Sequence, residues 1–213
     1  MQIQNFRRVV MVLGVTIVLA ACSRGPASPY TRIKDPPLLK GHLHTITVIS
    51  SDAAIIEQLK TSGYVPMSFA ANYPESTPVE AALWGVSEED AGKAVELMAP
   101  RPELPNVRVL VTASAPFERV DDDSGTAAFY QNVLSADVPK WPLGDGLPKG
   151  VQVQSVTYQI DNIVAASKKL RENVVPVVIN PALIVTPALG GHKILGIRAP
   201  DGTPVELIET SAQ

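Results

Sequence analysis

Apolar positions divide this chain into one long apolar run near its start and, after a polar stretch, segments whose spacing alternates between strand and helix periods. From His44 to Ser50, and again from Ser155 to Asp161, apolar and polar residues alternate, which predicts strands with one face turned inward. Each is followed by helical spacing: Ile55 and Leu59 in a predicted helix Asp52–Thr61, then Ile163, Ala166 and Leu170 in Asn162–Asn173. Ser51-Asp52 and Asp161-Asn162 supply the polar starters that helices favour. Beyond each helix the chain reads as extended, at Tyr64–Phe69 and Val174–Ile179. Two more strands follow in each half, Lys93–Ala99 and Asn106–Ala113 in the first, Lys193–Ala199 and Thr203–Glu209 in the second.

The halves therefore repeat. A shift of 111 residues lays Ile49 on Ile160, Ala54 on Ala165, Leu59 on Leu170 and Lys60 on Arg171. Each unit, residues 42–114 and 151–210, reads as strand, helix and about three strands, and a unit of this size cannot cover both faces of its own sheet. The expectation is an α+β fold of two βαβββ modules paired face to face, with a concave sheet surface between them able to hold a ligand. Residues 115–150, with Asp121-Asp122-Asp123, Trp141-Pro142 and several glycines, read as an irregular inter-module linker.

The start of the chain has a different character. Arg7 and Arg8 precede an apolar run, Val9 to Ala21, that is too short for the roughly 20 residues of a membrane-crossing helix and suits an export signal. Leu19-Ala20-Ala21-Cys22 resembles a bacterial lipobox, which implies cleavage after residue 21 and acylation of Cys22, the only cysteine. Two or more acyl chains make a stable anchor, so the resemblance implies a protein tethered to a membrane without spanning it. Ser23 after the cysteine implies sorting to the outer membrane, with the protein facing the periplasm. Residues 22–41, rich in Pro, Ser and Gly, read as a flexible spacer.

With Cys22 acylated no thiol is left for a disulfide, so stability must come from packing. The formal net charge of −3 becomes more negative once Arg7 and Arg8 leave with the signal. With no basic cluster, nucleic acid is not expected as a partner. There is no G-x-S-x-G elbow and no Gly-rich phosphate loop, and the Asp121–Asp123 run lacks the spacing of a calcium loop.

The closing stretch Ala199-Pro200-Asp201-Gly202-Thr203-Pro204-Val205-Glu206-Leu207 resembles the final hairpin of the vicinal oxygen chelate superfamily, which includes glyoxalase I, bleomycin-resistance proteins and extradiol dioxygenases. Ser155–Asn162 resembles that family's opening strand, and Ala82-Leu83-Trp84-Gly85-Val86 a short segment some members carry before the third strand. The resemblance implies metal ligands at the inward start of each module's first strand and on its last strand. By the repeat offset these positions fall on His44, Ser155 and Glu206, while Val109–Ala113 offers no carboxylate for the fourth.

His44 and Glu206 are thus the candidate metal ligands, and a working site generally takes about three. Ser155 is a weak ligand for a divalent ion. His42 is set on the opposite face, and His192 is read as solvated in a Gly190-Gly191-His192 turn. Tyr158 is expected to face the helix. The reading that follows is a glyoxalase-like lipoprotein that binds a small organic molecule at His44, Ser155 and Glu206, with a degenerate metal site and no catalytic residue assigned. No cofactor is expected, a divalent metal being the one left open. The alternatives are a metal-dependent glyoxalase or dioxygenase-type enzyme using His44 and Glu206, and an envelope assembly protein without ligand.

Overall fold

The computed structural model describes residues 28–67, 77–112, 120, 123–144, 146–186 and 190–210. Residues 1–21, expected to be a signal, Cys22 and residues 23–27 of the expected spacer lie outside them, as do Asp121 and Asp122. Among the described residues no helix is long and apolar enough to cross a membrane.

The first module runs β1 (His42–Ser50), α1 (Ala54–Thr61), β2 (Val65–Pro66), α2 (Thr77–Trp84), α3 (Glu88–Ala91), β3 (Val95–Met98) and β4 (Asn106–Val111). After α4 (Asp123–Leu134) the second module runs β5 (Val151–Gln159), α5 (Ile163–Glu172), β6 (Val177–Thr186), β7 (Gly190–Arg198) and β8 (Pro204–Thr210). The fold is α+β, two βαβββ modules in which the first strand lies parallel to the last, β1 to β4 and β5 to β8. The modules join through an antiparallel β1–β5 ladder into one sheet of order β2-β3-β4-β1-β5-β8-β7-β6. Their inner faces therefore belong to one continuous sheet rather than to two stacked ones, because the first strands still had a free edge to pair.

Alternation sorts the side chains to two faces. On the outer face Ile46, Val48, Leu97, Val107 and Val109 pack on Ile55 and Leu59 of α1. In the second module Val156, Tyr158, Leu195, Ile197, Val205 and Leu207 pack on Ile163, Ala166 and Leu170 of α5. Both helices end alike: the amides of Tyr64 and Val175 reach back to the carbonyls of Leu59 and Leu170. This closure turns the preceding residue to positive φ, Gly63 at 91° and Val174 at 58°.

Two stretches expected to be irregular are built in. Within residues 115–150, α4 packs Phe129, Tyr130, Val133 and Leu134 into the second module's outer core. Their i, i+1, i+4, i+5 spacing gives the helix one apolar side. The described part of the spacer lies along α4: Leu38 and Leu39 are buried, and the amides of Leu38, Leu39 and Gly41 donate to the carbonyls of Asn132, Val133 and Leu134. Two leucines and Tyr30, whose ring meets Phe129 edge-on at 5.2 Å, bury enough apolar surface to pin a stretch whose composition reads as flexible.

The inner face is covered by α2 and α3. Leu83 and Trp84 of α2 and Ala91 of α3 pack on Ile49 and Leu110, while Val79 reaches Ile184, Ile194 and Ile208 in the second module. Gly196 of β7 permits this approach, since a Cβ there would stand 3.0 Å from the Leu83 side chain and 2.8 Å from Ile179.

Candidate functional site

The β1–β5 register fixes how the modules correspond. Thr45 pairs Thr157, Ile46 pairs Val156 and Thr47 pairs Ser155, with one residue bulged out of register on each strand, His44 and Gln154. A two-fold that exchanges the strands maps Ile46 onto Val156 and one bulge onto the other, an offset of 110 residues. The helices keep 111, because the β5–α5 connection is one residue longer. Ile49 and Ile160, matched in the sequence comparison, consequently face opposite sides: Ile49 packs under α2 and Ile160 in the α5 core. The structural counterpart of His44 is Gln154, and that of Ser155 is Thr45.

The last strands correspond through the same register. Thr47 pairs Arg108 on β4 and Thr157 pairs Glu206 on β8, so the position related to Glu206 by the two-fold is held by Arg108. A bulge leaves two successive residues on one side of the strand. It puts His44 and Thr45 on the inner side together, where His44 Nδ1 and Thr45 Oγ1 share a 2.7 Å hydrogen bond.

Arg108 forms the centre of the inner face. Its Nε and Nη2 donate to Glu96 Oε1 at 2.6 and 2.5 Å, Nη2 lies 3.7 Å from Glu80 Oε1, and Nη1 lies 3.9 Å from Glu206 Oε2. Its guanidinium carbon stands 4.6 Å from the centre of the Trp84 ring, a cation–π contact. Glu206 Oε2 also accepts a 2.8 Å hydrogen bond from Thr157. The side chains come from five elements, α2, β3, β4, β5 and β8, so the cluster ties the modules and the covering helix together.

Burial alone would lower the Arg108 pKa, but Glu96, Glu80 and Glu206 outweigh it and raise it above the ordinary arginine value. The guanidinium is permanently charged. Burial, with the charges of Glu206 and Glu96, pushes Glu80 up to about 7 against the opposing pull of Arg108. Burial first, then Arg108 and His192, hold His44 below its usual 6.5 while Glu96 pulls the other way. His44 is therefore a neutral imidazole at neutral pH.

Six polar atoms of this region are buried without a hydrogen-bond partner: Thr47 Oγ1, Trp84 Nε1, Glu96 Oε2, Arg108 Nη1, Gln154 Oε1 and Ser155 Oγ. Gln154 spends its amide nitrogen on the backbone carbonyl of Trp84. Each unmatched buried group costs about 1–3 kcal/mol, which a packed interior does not carry without compensation.

The structure puts His44, Ser155 and Glu206 on one face without direct bonds between them; Arg108, Thr45, Thr47 and Thr157 stand among them. His42 is exposed at the first residue of β1; two residues from His44, it shares that residue's parity, so its end position and not its face keeps it out. His192 is not in a solvated turn but buried on β7, paired with Ile184 and Thr210, on the side where Ile194 packs. The strand begins earlier than its apolar pattern because its first residues, Gly190 and Gly191, carry no apolar side chain to mark it. Tyr158 faces the helices, beside Tyr130. Arg108, Glu96, Glu80 and Gln154 were missed, though Val107-Arg108-Val109 and Val95-Glu96-Leu97 each set a charge between apolar neighbours, the pattern of an inward charge.

A resident divalent ion does not fit these residues. Glu206 already faces a fixed guanidinium, which repels a cation, and among the described residues no group of three or more His, Cys, Asp or Glu side chains is placed to hold a metal. A groove of about 480 Å³ on the outer side, between α1 and β2, offers only Glu57 and Lys60 as charged groups, and these pair with each other at 2.7 Å.

No protein-family profile matches the chain, and no curated protein does. Solved structures similar to it include methylmalonyl-CoA epimerase from Mycobacterium tuberculosis, at 15% identity over 85% of this chain and 95% of that one, with a TM-score of 0.46. A glyoxalase/bleomycin resistance protein/dioxygenase superfamily member from Vibrio splendidus 12B01 is 9% identical over 81% of this chain and 100% of that one, with a TM-score of 0.39. A hypothetical protein from Bacillus halodurans C-125 is 12% identical over 81% and 96%, at 0.42.

Proposed function

We propose that this chain is a lipoprotein of the vicinal oxygen chelate type, tethered through Cys22 to the periplasmic side of the outer membrane, that holds a small polar organic molecule against the inner face of its sheet. The observation that carries the binding reading is the group of six buried polar atoms around Arg108 that make no hydrogen bond. Arg108 Nη1 and Trp84 Nε1 offer hydrogens, Glu96 Oε2 and Gln154 Oε1 accept them, and the hydroxyls of Thr47 and Ser155 do either. Three carboxylates face one guanidinium that already serves as their cation, so the pattern suits a neutral molecule carrying both acceptors and donors, and disfavours an anion. His44, Ser155 and Glu206 border the same region. No catalytic role is assigned.

Native mass spectrometry of protein purified without denaturant tests this, followed by identification of small molecules released on unfolding. The expected result is a non-covalent adduct that raises the thermal midpoint when added back and is lost in Ser155→Ala and Thr47→Val. Absence of any adduct, with both variants at least as stable as the parent, contradicts the binding reading. The tether is tested separately by Cys22→Ala, which should move the protein from the membrane to the soluble fraction.

A second reading, an envelope assembly protein without ligand, is favoured by the packing of α2 and α3 over the inner face. A metal-dependent enzyme using His44 and Glu206 would require Arg108 to leave its carboxylates.

A further inference from the structure

The two-fold sets Arg108 against Glu206 and His44 against Gln154. Three of these four are groups that coordinate divalent ions: an imidazole, an amide oxygen and a carboxylate. The fourth is itself a cation. Glu96 on β3 and Glu80 on α2 complete an acidic ring around it, and the free oxygens Glu96 Oε2 and Gln154 Oε1 are buried without partners.

We infer that Arg108 is a built-in counter-ion occupying the place of a divalent cation: it excludes such ions from the wild-type protein, and its removal opens a divalent-cation site on Glu96 and Glu206, with Glu80, His44 and Gln154 as further donors. This inference does not rest on the binding of a small molecule. Carboxylates brought together without a cation relieve their repulsion either by taking up a proton or by taking up a metal ion. In the wild-type protein the guanidinium takes the place of the metal ion: it is covalently part of β4, cannot be chelated away and keeps its charge at any physiological pH. Its fork bonds Glu96 through two nitrogens, leaving no open edge of Oε1 for a competing ion. The device makes the seam between the modules independent of metal supply.

Mn²⁺ titration of the full-length protein, read by the electron paramagnetic resonance of free Mn²⁺ alongside thermal unfolding, provides the test. Wild type and Arg108→Lys should bind no stoichiometric Mn²⁺ and show no shift in midpoint. Arg108→Gln should bind one ion per chain at least about tenfold more tightly than wild type, with a midpoint that rises with Mn²⁺ and falls back with a chelator. Arg108→Gln/Glu206→Gln should lose that gain. If Arg108→Gln does not fold alone, Mn²⁺ should restore folding. Stoichiometric Mn²⁺ binding by wild type that Glu206→Gln abolishes would overturn the inference, as would an Arg108→Gln protein that neither binds Mn²⁺ nor is rescued by it.

Discussion

The two modules share a course of chain yet carry opposite charges at corresponding places. In the first, the last strand turns Arg108 inward; in the second, the last strand turns Glu206 inward from the related position. A symmetric pair of carboxylates would repel across the seam, whereas this asymmetric pair attracts, and Glu80 and Glu96 add to the acidic side. The duplicated scaffold thus sets where side chains point, and the chemistry at each point is free to diverge. The outer faces are more alike, each packing apolar strand residues on its module's own helix, α1 or α5, with α4 added over the second.

The largest expected effect comes from erasing the difference. Arg108→Met leaves three buried carboxylates without their cation and should cost about 3–5 kcal/mol in urea unfolding, whereas Glu206→Gln, which keeps the acceptor for Thr157, should cost much less. Next comes pH. Glu80 in the folded chain holds its proton up to about 7, while in the unfolded chain it releases it near 4.5. Stability should therefore fall as pH rises between those values and level off above, by about 3 kcal/mol in all, and Glu80→Gln should remove that slope. Unfolding midpoints at a series of pH values, compared between the two proteins, check it.

Smaller again is Gly196→Ala, which pushes Leu83 and Ile179 off β7 and should cost about 1–3 kcal/mol by thermal unfolding. The least effect belongs to Asn162→Ala. It removes the 2.8 Å side-chain cap from the Ala165 amide and should cost about 1 kcal/mol in the same assay, with no change at the inner face.

The strands and the two outer helices were legible because their apolar residues follow a single period, and Glu206 because an Asp-Gly turn fixes the parity of the strand behind it. The covering helix α2 left only a faint trace, since its Ala-rich stretch is apolar on more than one side, packing on both halves of the inner sheet. The correspondence of first strands was misjudged by one residue for a definite reason. Helix residues such as Leu59 and Leu170 carry the similarity, and the extra residue before α5 shifts the strands relative to them. Bulges at His44 and Gln154 leave no mark in an alternation pattern, so the pairing of His44 with Ser155 could not be corrected without the register. The resemblance does not point to Arg108, because it implies a carboxylate at the end of β4 and this residue is neither a carboxylate nor at that end.

A double-mutant cycle between Arg108→Met and Glu206→Gln, read as unfolding free energies at neutral pH, asks directly whether the two modules are joined by this pair. The account predicts a favourable coupling of about 1 kcal/mol or more, weakly dependent on salt because both groups are buried. Strictly additive single-mutant effects would contradict it.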